Sequence, residues 1–434
     1  MSISGNTRVN RKKMNVLIIG SGGRALPDFP SHGMFPAPRN LFFAPGNPGT
    51  SLLGTNLPVE VTDFESLGKE VIERGIDMVV VGPEVPLAGG IADYFSSLEG
   101  GKQVKVIGPG KAGARLEGSK NFAKAFLSRH GIPTARYASF TLPSLEEGFR
   151  YLESLRPPYV LKADGLAAGK GVIITDTLSE ARKNLQEMLE GKFGEAGNRV
   201  VIEEFLSGVE LSVFVVTDGT DYVILPEAKD YKRIGEKDTG PNTGGMGAVS
   251  PVPFADAAFM QKVEERIIKP TIGGIRLEGI PYTGFIFFGL INCKGDPYVI
   301  EYNVRMGDPE TEVVMLRIQS DFLELLEAAA THRLGEYKME IDSLSAATVM
   351  LVSGGYPGPF EKGKVISGHE QVQQTLFHAG TKLDNGLLRT SGGRVLAVSA
   401  TAPDRTSALE KCYIDARIIN FEGKYYRTDI GFDL

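Results

Sequence analysis

Five stretches of the 434-residue sequence combine residue types at spacings that can do chemistry. In YVIEYNVRMGDPE, residues 298–310, Glu301 and Asn303 stand two apart on what reads as a strand, so their side chains share a face. Two oxygen donors on one face suit Mg²⁺, which keeps waters and bridges nucleotide phosphates. Arg305 falls on that face if the strand continues, where a guanidinium can grip a carboxylate or phosphate. Hiding Glu, Asn and Arg on an apolar strand is costly without such partners, and a plain Glu301–Arg305 ion pair is the structural alternative. In YVLKADGLAAGKG, residues 159–171, Lys162 ends a strand, and Gly165, Gly169, Lys170 and Gly171 form a turn before the next one. This is no Walker A loop: Gly171 stands where Ser or Thr is needed, and no helix follows. Such a strand–turn–strand can fold over phosphates as a lid, with Lys162 and Lys170 adding positive charge; the alternative is a mobile hairpin with solvated lysines.

Three further stretches carry weaker signals. VVIEEFLSGVE, residues 200–210, ends a strand in Glu203 and Glu204 and turns through Gly208 to Glu210. The corner can offer backbone groups to adenine and a carboxylate to ribose, although on its residues alone a solvated acidic turn is favoured. GSGGR at 20–24 follows a strand and lets backbone N–H groups approach a phosphate. Its spacing is not GxGxxG and no acidic partner follows the second strand, which argues against a nicotinamide site. DYKRIGEKDTGPNTGGMG, residues 230–247, is dense in glycine, charge and amide, as either a functional or a surface loop would be.

The elements that must position these groups alternate. Strands are expected over 14–19, 40–43, 77–82 and 104–108, with a helix over 63–74 capped by Asp63. That alternation implies a parallel, doubly wound first domain. A helix over 119–130 is capped by Ser119 and stopped by Gly131-Ile132-Pro133. Then come strands over 159–162, 172–175, 200–203, 211–216, 285–292 and 298–303, and helices over 179–189, 257–272 and 310–330. Strands over 347–352 and 394–400 and a helix over 404–418 make the tail a small α+β domain. The fold class is therefore α/β and α+β multidomain.

Composition bounds the chemistry. Glycine is 53 of 434 residues, above the usual ~7%, as many special backbone positions require. The formal charge of −6 gives no overall field toward nucleic acid or anionic membrane. Cys293 and Cys412 match no metal spacing and read as buried free thiols of a reducing, cytoplasmic setting. No apolar run approaches a membrane span, and the basic segment 1–13 lacks a secretory core and reads as a disordered tail.

The order of GSGGR, APGNPGT, GPEVPL, EGSKNFAK, KADGLAAGKG, IEEFLSGVE, DTGPNTGGMG, IEYNVRMGDPET and FHAGTKL resembles the phosphoribosylamine–glycine ligases (glycinamide ribonucleotide synthetases) of the ATP-grasp superfamily, from about residue 14 to 434. The resemblance implies an N-terminal substrate domain (14–115), an ATP-grasp body of two α+β lobes (116–335, lid lobe about 134–205) and a C-terminal domain (336–434). It implies that ATP, glycine and 5-phosphoribosylamine give N1-(5-phosphoribosyl)glycinamide, ADP and phosphate through glycyl phosphate. Another carboxylate–amine ligase, a bicarbonate-using carboxylase and a catalytically impaired nucleotide-binding homologue are the rivals.

By that resemblance Lys120, Lys162, Gly169, Lys170 and Gly171 hold ATP phosphates, Glu203, Glu204 and Phe205 meet adenine, and Glu210 meets ribose. Glu301 and Asn303 would ligate Mg²⁺ or Mn²⁺, without a second carboxylate from the apolar stretch 284–291. Arg305 and Asp230 would take the glycine carboxylate and amine, with Lys232, Asn242, Gly244 and Gly245 over the reacting centre. Gly22, Gly23, Arg24, Glu84 and Pro86 would line the substrate site. Small molecules are the expected partners, and a monomer or weak homodimer the expected state.

The segment 25–38, ALPDFPSHGMFPAP, departs from the family, which has Glu-His-Ala opening a helix there. Pro27, Pro30, Pro36 and Pro38 are incompatible with a helix interior at ~3 kcal/mol each. Matching flanks and a retained length suggest the hypothesis of two compensating frameshifts, which resequencing the DNA tests; a clean single frame would sink it.

Overall fold

The computed structural model describes residues 14–23, 40–98, 104–166 and 171–434. The tail 1–13, Arg24, the segment 25–38, Gly169 and Lys170 lie outside the described residues.

The N-terminal part is a parallel sheet in the order Thr55–Asn56, Asn40–Pro45, Asn15–Gly20, Met78–Val81, Lys105–Ile107. Asn15–Gly20 sits where the order reverses, so Gly20–Gly23 leaves its carboxyl end at the crevice where doubly wound sheets bind ligands. The expected helix forms as Phe64–Glu73, with the Asp63 side chain accepting from Ser66 N.

Two antiparallel sheets follow. The first has the order Tyr137–Phe140, Val200–Glu204, Tyr159–Ala163, Val172–Thr175, and packs its apolar face on helices Leu145–Ser154 and Leu178–Glu187. The second has the order Tyr222–Ile224, Val209–Thr217, Gly284–Cys293, Asp296–Asn303. Its two faces join the N-terminal sheet in continuous cores: Leu17 and Ile19 share one with Phe288 and Tyr302, and Val16 and Phe43 share the other with Phe214 and Phe287. Helix Lys120–Arg129 is capped by Ser119, whose side chain accepts from Phe122 N.

The C-terminal sheet runs Lys229–Asp230, Gly247–Ser250, Ser345–Val352, Arg394–Ala402, Thr375–His378, covered by helix Arg405–Ile418. Its first two strands come from the 229–250 stretch, so the loop between them is anchored to this sheet at both ends.

Three expectations need correction. The helix expected over 310–330 is two helices, Glu310–Met315 and Phe322–Ala330, because Asp321 caps the second by accepting from Glu324 N. The helix over 257–272 reaches Leu277 through a wider turn at Glu264–Ile268. Of the two free thiols only Cys412 is buried, which pushes its thiol up to about 12; Cys293 is half-buried at a strand end. Among the described residues no helix is long and apolar enough to cross a membrane.

Candidate active site

A cleft opens between the two antiparallel sheets. The first sheet contributes Lys162, Val172, Ile174 and Glu203 to its wall, and the second contributes Glu210, Ile291, Glu301 and Asn303. The long loop adds Asp230, Lys232, Asn242, Thr243 and Gly244; Glu84 comes from the N-terminal part and Arg394 from the C-terminal sheet.

Strand pairing aims the expected metal donors. Gly289 pairs with Glu301, and a bulge follows at Leu290. A Cβ at Gly289 would stand 3.0 Å from Glu301 Cγ, so glycine leaves the room that the carboxylate uses. Glu301 and Asn303 both reach the cleft, and Asn303 Oδ1 accepts from Arg305 Nη2 at 3.2 Å. No group of three or more His, Cys, Asp or Glu able to hold a metal occurs among the described residues. One carboxylate and one amide oxygen fit a Mg²⁺-type ion whose remaining positions go to phosphate and water.

Arg305 lines the cleft, but its carboxylate partners are Glu117 (Nη2 to Oε1, 2.9 Å) and Glu84 (Nε to Oε2, 3.5 Å) rather than Glu301. Burial opposes its charge; Glu117 and Glu84 outweigh burial and keep it a firm cation.

The cations converge on the other wall. Lys120, at the first turn of its helix, donates to Gly165 O at 3.4 Å, and burial draws its pKa down. Lys162 Nζ lies 3.0 Å from Glu203 Oε1 and donates to Ile300 O at 3.3 Å. Lys124 Nζ meets the other oxygen, Oε2, at 2.9 Å. Burial pushes the Glu203 carboxyl up, but the ammonium groups of Lys162 and Lys124 prevail and hold it below the ordinary carboxylate range.

The remaining expected residues divide. Gly171, Glu204, Phe205 and Glu210 border the cleft, but the Glu204 carboxylate is taken by Arg136, with Nε at 2.8 Å. Lys232 Nζ lies 2.9 Å from Glu210, an exposed pair that solvent screens, and 3.7 Å from the buried Asp230. Asp230 itself is pushed up by burial against the pull of Lys232. Gly244 N donates to Tyr356 Oη at 2.9 Å while its carbonyl accepts from Arg394 Nη1. Gly245 has φ +114, and a Cβ there would fall 2.3 Å from Pro309 Cδ, so only glycine fits. Gly22 and Gly23 do not line this cleft: Gly22 lies behind its wall residue Asp308 and Gly23 against Glu312, where a Cβ would lie 3.5 Å and 2.0 Å from the carboxylate oxygens. Pro86 is buried in helix Glu84–Gly89 and does not line the cleft.

The sequence reading missed Lys124, Glu117, Arg394, Glu310 and Glu312. The i, i+4 spacing of Lys120 and Lys124 was the signal for the first. Glu310 Oε1 accepts from Ser212 Oγ at 3.1 Å; burial and the nearby Asp230 push its carboxyl up to about 7. Glu312 is fully buried, and burial with Asp308 beside it pushes it well above the carboxylate range.

Three consecutive family descriptions match this chain: the phosphoribosylglycinamide synthetase N domain at residues 14–117, its ATP-grasp (A) domain at 118–311 and its C domain at 346–433. A phosphoribosylamine–glycine ligase of Vibrio vulnificus (strain CMCP6) is 46% identical over 426 residues, spanning 96% of this chain and 98% of the relative. One from Escherichia coli O157:H7 is 45% identical over 427 residues, spanning 96% and 98%. The crystal structure of the phosphoribosylamine–glycine ligase from Thermotoga maritima is similar at TM-score 0.81 and 39% identity, covering 96% of this chain and 99% of that one. A biotin carboxylase domain from Hydrogenobacter thermophilus, solved with MgADP and bicarbonate, has TM-score 0.69 at 17% identity, covering 96% and 93%, which is a likeness of fold alone.

Proposed function

We infer the roles of these residues from one premise: the chain belongs to the phosphoribosylamine–glycine ligase family, and it joins glycine to 5-phosphoribosylamine with ATP as co-substrate, a step of purine biosynthesis. The observation that supports the assignment is a cleft of two adjoining parts: Lys120 lines one, Asp230 the other, and Lys162, Glu301, Asn303 and Arg305 border both.

A carboxylate is a poor electrophile. Transfer of the ATP γ-phosphoryl group to a glycine carboxylate oxygen makes glycyl phosphate and ADP. The amine of phosphoribosylamine then attacks the acyl carbon, the C–O bond to phosphate breaks, and the amine loses a proton as the amide forms. The protein's task is to position the reactants and offset negative charge. Lys120 and Lys162 take the phosphates, backbone at 203–205 takes adenine, and Glu210 takes ribose. Glu301 and Asn303 would hold Mg²⁺ or Mn²⁺, which would supply positive charge to offset that of the phosphates. Arg305 holds the glycine carboxylate and Asp230 its ammonium, under the 242–245 turn. Gly22 and Gly23, at the switch point, take the phosphoribosyl group.

The test is ADP release with phosphoribosylamine generated in situ, omitting each substrate in turn. Dependence on ATP, glycine and the amine together is the expected result. Bicarbonate replacing glycine would make the chain a carboxylase, and no turnover under any combination would make it an impaired nucleotide-binding homologue.

A further inference from the structure

Glu203 is a buried carboxylate, 4% exposed, with one ammonium on each oxygen. Its partners come from different bodies. Lys162 lies on the strand next to Glu203 in the same sheet; Lys124 lies on helix Lys120–Arg129. Lys124 Nζ also donates to Thr134 Oγ1 at 2.7 Å, and that hydroxyl donates to Val299 O at 2.7 Å. Lys162 reaches the neighbouring carbonyl, Ile300 O. All three groups are thus tied to the strand that carries Glu301 and Asn303.

Two ammonium groups and one carboxylate leave a surplus of one positive charge. Lys124 is 3% exposed and spends two of its three N–H donors inside the protein. Lys162 is the member that borders both parts of the cleft. The surplus is therefore presented to a ligand at Lys162. Without Lys124, Glu203 and Lys162 make a neutral pair, and nucleotide phosphates meet no net charge from them. We propose that Lys124 is a positioning residue that supplies the second cation to Glu203 and so leaves the Lys162 ammonium available to nucleotide phosphates. This rests on the reading that Lys162 meets those phosphates. Burial draws Lys124 down to about 8 against the pull of Glu203, so it still carries its proton at neutral pH.

The full chain and four variants test it: Lys124→Met, Glu203→Gln, the double variant and Lys162→Met. ADP affinity is measured by isothermal titration with Mg²⁺ present, and adenosine affinity by ligand-observed NMR. Lys124→Met should weaken ADP by about tenfold to a hundredfold, as loss of a charge-assisted contact does, and leave adenosine unchanged. Adding Glu203→Gln restores the surplus charge and should recover most of the ADP affinity. A residue that only supports the fold would lower ADP and adenosine together, and the second substitution would not help; either result overturns the proposal. If Lys162→Met leaves ADP affinity intact, the phosphate reading of Lys162 itself fails. If it weakens ADP while the double variant shows no recovery, only the role of Lys124 fails. Should Lys124→Met not fold, Glu203→Gln alone decides: ADP affinity at or above that of the native chain supports the proposal, and weaker binding overturns it.

Discussion

Arg305 keeps its guanidinium among Glu117, Glu84 and Asn303, and those partners orient a flat fork toward the cleft. A lysine there supplies one point charge and cannot hold that orientation while gripping a carboxylate with two parallel donors. Arg305→Lys should therefore weaken glycine about tenfold to a hundredfold, the value of ~1.5–3 kcal/mol in charge-assisted hydrogen bonds. Isothermal titration of glycine and of an ATP analogue checks this; an equal loss for the nucleotide would make Arg305 a phosphate ligand. Glu310 makes a different prediction. Burial and Asp230 raise its carboxyl to about 7, above the 4.5 of a free glutamate. The native state then binds more protons than the unfolded chain between those values, so the contribution of Glu310 is full below 4.5 and is lost as pH rises through 7. Glu310→Gln removes that loss. Its unfolding free energy should gain on that of the native chain as pH goes from 4.5 to 7, by on the order of 2–3 kcal/mol, read from denaturant unfolding at each pH. A gap that stays constant with pH in the substrate-free protein would show that Glu310 does not titrate there.

The hairpin of Gly284–Cys293 and Asp296–Asn303 decides where the proposed metal donors point, and Gly289 is the position paired with Glu301 across it. An added Cβ would stand 3.0 Å from Glu301 Cγ, so the glutamate must shift, while the strand backbone itself tolerates alanine. Gly289→Ala should raise the Mg²⁺ concentration needed for half-maximal ADP release a few-fold and leave the thermal midpoint unchanged or slightly higher. A lowered midpoint with unchanged Mg²⁺ demand would mean that the glycine serves packing. Much at this scale was legible in the sequence, because period-two apolar runs and caps are local. Glu301 and Asn303, two apart on a strand, and Ser119 before its helix needed no tertiary knowledge. What escaped is tertiary. Lys124 gains its role only when the fold brings Glu203 from a sheet onto its helix. Glu310 and Glu312 read as the start of one long helix, whereas the break before Asp321 leaves a short buried segment with both carboxyls inside. Strand 137–140 is too short for its pattern to register, whereas helix 145–154 carries an apolar stripe as clear as that of 64–73 and is legible in its residues.

Across the whole molecule, the turn that follows the first strand is held by the far end of the chain. Asn47 is buried, and its Nδ2 donates both hydrogens: one to Ser21 O in the GSGG turn and one to His378 O in the C-terminal sheet, each at 2.9 Å. Its Oδ1 accepts from Thr50 N at 3.0 Å, which fixes the amide. Gly49 lets the joint close, since a Cβ there would lie 2.7 Å from the His378 ring. One amide therefore ties the proposed phosphoribosyl loop to a sheet formed more than three hundred residues later. Asn47→Ala leaves two carbonyls without their donor, a loss of about 2 kcal/mol if water only partly replaces it. The proposed ATP cleft, lined by Lys120, Lys162 and Glu301, includes neither Asn47 nor His378 in its wall. The expected result is a lower thermal midpoint and a raised KM for phosphoribosylamine, with KM for ATP and glycine nearly unchanged. Steady-state kinetics with each substrate varied in turn makes the distinction. If all three KM values rise together, the joint holds the entire fold rather than one loop. If none rises, either Gly20–Gly23 keeps its shape without the C-terminal sheet or the phosphoribosyl group is positioned from elsewhere.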